Sequence, residues 1–379
     1  MSESKAYVKT LPQRGAALAR ALPGKIAKTP LLLPLLAFFI LLLVNLIFID
    51  ADVLSINIIT NNDGYPSMQG RLVTILNSGS EIAILSIGMT LVTSSSGGQD
   101  ISVGSAVAIA GSVVLRVLCG NETAVVDMHA PIIVAFLVCV LVSMVFGAFN
   151  GILVSVFKIQ PMVATLILFT AGRKIAYWIG GGMIRNVDAR EFKYFGNNIP
   201  GVSIPTPIFI TAACIIVIAL VLKFTNLGLY TQTVGINLHA ARLNGLDPVR
   251  IKFITYVIMG VCVAVVGFIG ASRTGNINYE KLDLGIEMDV ILAVAIGGNA
   301  LGGGRFNMAG SIISAYTIKF LMDTLYTLGV PSDSLKFWQA VFIIIIVTLT
   351  SSSVIKNGVV RTFGAVFSRH KAPRLKEGM

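Results

Sequence analysis

The sequence predicts an all-α, polytopic transmembrane helical bundle, on three observations. Of its 379 residues 55% are hydrophobic and only 12% charged, with a mean hydropathy of +0.83; soluble domains carry about 25% charged residues. The apolar residues come in runs of about 18 or more, the length a helix needs to cross a hydrocarbon layer of roughly 30 Å. The net charge of +11 is concentrated at the two ends. Lys5, Lys9, Arg14, Arg20, Lys25 and Lys28 face Glu3 alone in the first thirty residues, and Lys356, Arg361, Arg369, Lys371, Arg374 and Lys376 face Glu377 in the tail. Basic ends flanking apolar helices place both termini in the cytoplasm. No basic face interleaved with aromatics accompanies them, which argues against nucleic acid as a partner.

Ten membrane segments are expected, at about 31–49, 72–93, 101–118, 131–157, 161–180, 207–224, 250–271, 288–300, 308–328 and 337–355. The first is too long for the apolar part of a secretory signal, and Asp50-Ala51-Asp52 after it is no small-residue cleavage site. It reads as a membrane helix. An even number of crossings agrees with two cytoplasmic ends. Loop 50–71 carries Asp50, Asp52 and Asp63 against Arg71, and loop 119–130 carries Glu122 and Asp127 without Lys or Arg. The 223–252 connection carries Lys223, Arg242, Arg250 and Lys252 against Asp247. These biases put the first two loops outside and the third inside. Loop 181–206 is mixed and decides nothing. The domain plan is a basic segment 1–30, a membrane domain 31–355 with a cytoplasmic loop at about 225–249, and a basic tail 356–379.

Two segments, 101–118 and 288–300, are short, and each lies next to a glycine-rich stretch: Gly97-Gly98 for the first, Gly297-Gly298 and Gly302-Gly303-Gly304 for the second. If segments 2–5 and 7–10 form two units of opposite orientation, each short segment is second in its unit, and such pairs mark transport pathways. Gly147 and Gly151 make a GxxxG step in segment 4, and Gly260, Gly267 and Gly270 line segment 7. Small residues let helix backbones meet where lipid offers no hydrophobic drive.

Charges within apolar runs are costly and often functional. Glu81, Arg116, Arg173-Lys174, Lys319 and Asp323 are the instances. Lys319 and Asp323 stand four residues apart on one helix face; they either pair with each other, snorkel to an interface, or relay protons or substrate. The cysteines, Cys119, Cys139, Cys214 and Cys262, form no CxxC pair, and His129, His239 and His370 are scattered, so neither a disulfide framework nor a metal site is indicated. No catalytic residue and no cofactor of this chain's own is expected. Ser96-Gly97-Gly98-Gln99 mimics the signature loop of ATP-binding cassettes, but no G-x-x-x-x-G-K-[ST] phosphate loop occurs.

The 223–252 connection contains one further element. A short helix from Asn237 to Asn244, capped by Asn237 and ended by Gly245, fits the start and stop signals. It is too polar to cross a membrane and too short to be stable alone, so it is either a surface turn or a helix that needs a partner surface.

The run Gly235-Ile236-Asn237 through Ala240-Ala241 to Gly245 resembles the coupling-helix loop of permeases in ribose- and galactose-type bacterial ABC sugar importers. Ile87-Gly88-Met89-Thr90-Leu91-Val92, followed by Gly97-Gly98-Gln99-Asp100-Ile101-Ser102-Val103-Gly104, is similar to the element G-M-T-x-V-I…G-G-I-D-L-S-V-G of that family. Phe149-Asn150-Gly151, Gln160-Pro161-x-Val163-Ala164-Thr165-Leu166 and Ala293-Val294-x-Ile296-Gly297-Gly298…Gly303-Gly304-Arg305 follow in order. The likeness covers roughly residues 70–350. Lys158-Ile159-Gln160-Pro161 through Ala171-Gly172-Arg173, and Gly303-Gly304-Arg305-Phe306-Asn307, look closest to the galactofuranose importer permeases. Gln99 stands where the family usually has Ile, which leaves the sugar open between galactofuranose, fructose and another monosaccharide.

The resemblance implies a permease in the bacterial inner membrane. Its partners would be a separate ATPase subunit that binds ATP and Mg, a second permease copy or sister permease, an extracytoplasmic sugar-binding protein, and lipid. The loop residues it marks for coupling are Gly235, Asn237, Ala240, Ala241, Arg242 and Gly245. A neutral sugar wants amides and hydroxyls, and Gln99, Asp100, Asn150, Thr165 and Thr170 are the pathway candidates. For Gln99-Asp100 the plainer role is capping of segment 3. The rival readings are a permease for branched-chain amino acids or nucleosides and a proton-coupled secondary carrier using Glu81, Lys319 or Asp323. A membrane enzyme lacks any nucleophile–base constellation.

Overall fold

A computed structural model describes residues 31–49, 53, 55–60 and 66–350. The basic segments 1–30 and 356–379, the last residues of the tenth expected segment, and Asp50, Asp52 and Asp63 lie outside the described residues. In chain order the helices are α1 (Leu32–Val44), α2 (Arg71–Ser96), α3 (Val103–Cys119), α4 (Ile132–Ser155), α5 (Pro161–Ile179), α6 (Arg190–Lys193), α7 (Thr206–Phe224), α8 (Leu227–Ile236), α9 (Leu238–Leu243), α10 (Pro248–Thr274), α11 (Ile286–Ile296), α12 (Met308–Thr327) and α13 (Leu335–Thr350). Each of the ten expected segments is met by a helix. Among the described residues α2, α4, α5, α7 and α10 are long and apolar enough to cross a membrane by length and composition. At 1.5 Å per residue, the 11-residue α11 reaches about 16 Å, half of a roughly 30 Å hydrocarbon layer.

The all-α expectation needs one amendment. β1 (Asn57–Thr60) and β2 (Pro66–Gln69) form an antiparallel ladder, and β3 (Ala124–Val125) pairs in parallel with β4 (Asn186–Val187). All four lie in connections between apolar helices. There the backbone lacks the internal pairing of a helix and must find its partners between loops. The same end of the bundle is tied by Met68 N–H donating to the Ser203 carbonyl (2.8 Å) and Val187 N–H donating to that of Gly275 (2.7 Å).

The described residues up to Asp323 make one compact unit, and those from Thr324 to Thr350 make a second, with the last turn of α12, a short 3-10 turn at Ser332–Ser334 and α13. Within the first unit α2 is central: Gly79 to Ser95 is buried without interruption. It packs with α10, α11, α7 and α8, whereas α4, α5 and α7 keep most of their apolar surface outward. Outward apolar faces are what hydrocarbon solvates: burial recurs every three or four residues along α4 (Ala135, Cys139, Ser143, Gly147) and α5 (Pro161, Ala164, Leu168, Gly172, Ala176), while the faces turned away from the bundle are apolar as well.

Close backbone approach holds the centre together, as the small residues predict. A Cβ on Gly147 of α4 would lie 2.5 Å from the Tyr256 carbonyl oxygen of α10, and one on Gly260 of α10 would lie 2.5 Å from that of Ser143. Real Cβ atoms do not come so near, so helices α4 and α10 meet there by backbone alone. The two long central helices share another device. α2 ends on Gly97 and α10 on Gly275, both left-handed (φ +70° and +73°), and each is followed by a loop and a short helix. The left-handed cap returns an N–H to the carbonyl four residues back, Thr93 and Ala271 respectively, where a Cβ would be strained.

Candidate coupling loop and the polar turn beneath it

The connection between α7 and α10 folds as two short helices joined at Asn237. The Asn237 Oδ1 accepts the backbone N–H of His239 and of Ala240 (3.0 Å each), which is the expected cap of α9. Gly245 ends the helix with φ +78°, its N–H donating to the Arg242 carbonyl (2.9 Å). Asp247 then caps α10, its Oδ1 accepting from Val249 N–H (3.0 Å). The preceding helix α8 is an addition to the sequence reading, and Asn237 sits at its junction with α9. Ala241 is fully buried with Val234 and Ile251, so it is the point at which α9 rests on α8 and α10. Ala240 is half-buried, while Asn237, Arg242 and Gly245 are exposed.

Gly235 decides where this loop sits. A Cβ on it would overlap the carbonyl oxygen of Ser94, at the end of α2, and come within 2.5 Å of the Gly304 nitrogen. The Gly304 N–H donates to that same Ser94 carbonyl at 3.1 Å. Beside them, a Cβ on Gly303 would lie 2.9 Å from Gly97 Cα. The end of α8, the turn after α2 and the α11–α12 loop therefore meet at one backbone junction. Gln99 adds a tie: its Nε2 donates to the Leu301 carbonyl at 2.9 Å, within the α11–α12 loop.

Four of the five pathway candidates gather on the turn between α2 and α3. The Asp100 carboxylate accepts Ser102 N–H (2.9 Å) and Ser102 Oγ–H (2.6 Å), which holds the turn that precedes α3. Asn150 of α4 donates from Nδ2 to Ser102 Oγ (3.0 Å) and stands 3.5 Å from Asp100 Oδ2. Thr165 of α5 accepts Ile101 N–H at 3.2 Å. A small void bounded by Asp100, Ser102, Asn150 and Gly260 leaves about 10 Å³ for a water-sized sphere, and the Asn150 Oδ1 beside it makes no hydrogen bond. That is room for one water. Thr170 is not brought to this group: it lies on the exposed face of α5 and donates to the Leu166 carbonyl of its own helix (3.0 Å).

The charges within apolar runs resolve into ties at the opposite end. Glu81 of α2 pairs with Arg273 of α10 at 2.8 Å. Arg116 caps the end of α3 through the Gly120 carbonyl (2.6 Å), and Arg173 donates to the carbonyls of Tyr279 (2.9 Å) and Leu282 (3.0 Å), pinning the α10–α11 loop to α5. Lys174 pairs with Glu280 at 3.0 Å and holds its carboxyl below the usual carboxylate range. Of the readings their spacing left open for Lys319 and Asp323, mutual pairing is not formed. Asp323 instead pairs with Arg71 at the start of α2 (2.8 Å), and Lys319 acts electrostatically on Glu81 and Asp283. A cation at the start of a neighbouring helix competes successfully with the flexible lysine four residues away. Among the described residues no group of His, Cys, Asp and Glu is placed to hold a metal ion.

Residues 71–350 match the model of the family described as branched-chain amino acid transport system / permease component. The chain belongs to this permease family. It is 36% identical to the galactofuranose transporter permease protein YtfT of Escherichia coli over 286 residues, 76% of this chain and 81% of the relative. It is 32% identical to the fructose import permease protein FruF of Bifidobacterium longum over 336 residues, 87% and 90%. The ribose import permease protein RbsC of Escherichia coli is 32% identical over 283 residues, 73% and 84%. No solved structure matches the chain. Family and apolar helices together make this permease a multi-pass protein of the bacterial inner membrane.

Proposed function

We propose that the chain is the membrane-spanning subunit of an ATP-driven importer for a monosaccharide, a furanose such as galactofuranose or else fructose or ribose. A separate ATP-binding-cassette subunit on the cytoplasmic side hydrolyses the ATP. The observation that carries this reading is the α8–α9 loop. Its Gly235 is keyed by backbone against both the α2–α3 turn and the α11–α12 loop, while Ile236 and Leu243 are left 72% and 89% exposed. A six-residue helix gains little stability alone, and large apolar side chains clustered on an end-facing loop fit a protein partner. Pushing such a loop shifts two membrane turns at once, and the partner's differential binding to two states supplies the free energy.

The sugar class is supported by the names of three relatives, which are transporters or importers of galactofuranose, fructose and ribose, and by the neutral hydrogen-bonding character of Gln99, Asn150 and Thr165. The family description names branched-chain amino acids, so that substrate class is the control. A second permease copy or sister permease completes the pathway, and a secreted binding protein delivers the sugar. The proton-carrier reading loses ground because Glu81 and Asp323 are each held by an arginine.

Pull-down of tagged protein from its native membrane, with the co-purifying proteins identified, tests the proposal. The expected result is an ATP-binding-cassette protein, and vesicle uptake of a labelled furanose that needs ATP. Recovery of the permease alone, with uptake driven by a proton gradient, would overturn it.

A further inference from the structure

α7 leans on α2 and leaves an open slot of about 820 Å³ against α4 and α10. Ile87, Phe136, Ala213, Val217, Ile258 and Phe268 are among its walls, and no charged residue lines it. From Ile210 to Val221 the slot follows twelve residues of α7, about 16 Å of helix. That is about half of a 30 Å hydrocarbon layer, the depth of one leaflet.

A void of this size loses dispersion contacts along every wall. Water has no polar partner in it, and hydrocarbon is the solvent around α4, α7 and α10. Apolar walls alone, however, give no preference among lipids, because lipid tails are as apolar as the slot. A preference needs a polar feature beside the slot. Ile132 lines the slot, and its neighbour Pro131 lines a second basin of about 770 Å³ with Asp127, His129, Asp188, Arg190 and Glu191. Asp127, Arg190 and Glu191 are all exposed there. The exposed carboxylates of Asp127 and Glu191 complement a headgroup that carries an ammonium.

We infer that this slot and basin form a binding site for one amine-bearing, zwitterionic glycerophospholipid. Its acyl chain fills the space between α7 and α10, and its headgroup ammonium is held by Asp127 and Glu191. The lipid braces α7, which otherwise rests on the bundle along one face only. The site lies apart from the α8–α9 loop and does not depend on the importer reading.

The test is native mass spectrometry of the full chain released from detergent after equilibration with equal phosphatidylethanolamine and phosphatidylglycerol. The wild type should retain one phosphatidylethanolamine per chain, preferred about tenfold, the worth of one charge-assisted hydrogen bond. Ala213→Trp fills the slot and should abolish retention. Should that variant fail to fold, Val217→Trp, on a side chain 60% exposed, serves in its place. The surface variant Asp127→Asn with Glu191→Gln should keep a lipid but lose the preference. No retained lipid, equal retention of the two headgroups by the wild type, unchanged retention in the slot-filled variant, or cross-linking of Cys214 between two copies of the chain would each overturn the proposal.

Discussion

Gly235 stands against the carbonyl of Ser94 so closely that a β-carbon there would overlap the oxygen. One methyl group at this position must therefore separate the end of α8 from the turn after α2. Gly235→Ala is expected to leave the helix content and membrane insertion intact while reducing ATP-dependent uptake at least about tenfold, a loss of about 1.4 kcal/mol of coupling. Gly245→Ala is the comparison. Its site is open, with nothing within 4 Å, and only the left-handed backbone resists, at about 1–2 kcal/mol. Uptake by the two variants in parallel vesicle assays checks the order, with Gly245→Ala the milder.

Leu243 is 89% exposed on α9 and touches little of its own chain. Leu243→Asp should leave the melting temperature of the isolated permease unchanged and weaken its binding to the ATPase subunit by about 2 kcal/mol or more, as a central apolar anchor does. Ala241→Arg is a different lesion. Ala241 is fully buried between α8 and α10, so that variant should unfold the loop itself, seen as increased proteolysis at residues 225–249.

Asp100 and Asn150 share Ser102 in a buried network. Asn150→Ala leaves Ser102 Oγ without that donor, and the expected loss is about 1–3 kcal/mol. Thermal denaturation in detergent measures it. Thr170→Ala removes only a bond to its own helix and should cost less than about 0.5 kcal/mol.

Arg71 and Asp323 are the pair that the spacing of Lys319 and Asp323 did not foretell. A double-mutant cycle with Arg71→Gln and Asp323→Asn should show a coupling of about 1–3 kcal/mol, and the cycle with Lys319→Gln and Asp323→Asn close to none. Stability in detergent is the readout for both.

Much of this was legible because hydrophobic length is a one-dimensional signal. A helix over each apolar run follows from hydropathy alone, and so does the shortness of α11, whose 11 residues lie beside the glycines at 297–304; α3, at 17 residues, is longer than α1 and α13. The cap of α9 was legible for the same reason, since Asn237 and Gly245 act within a few residues of themselves. What pairs with what was not. Ser94 meets Gly304 across more than two hundred residues, and nothing in either neighbourhood marks the other. Arg71 was counted as a loop charge, and its partner lies at the far end of the chain. α8 was missed because its run from Leu227 to Ile236 is neither long enough for a membrane helix nor polar enough to stand out. Thr170 was grouped with Thr165 by residue type, but five positions along a helix turn it to another face.

In the proposed coupling, force passes from a separate ATPase through the α8–α9 loop to both membrane turns at Gly235. The most direct measurement is ATP hydrolysis and sugar uptake together, in vesicles holding the assembled complex, for wild type and Gly235→Ala. The complex with the variant should still assemble with the ATPase subunit and still hydrolyse ATP, while uptake per ATP falls at least about tenfold. Wild-type uptake per ATP in that variant would contradict it.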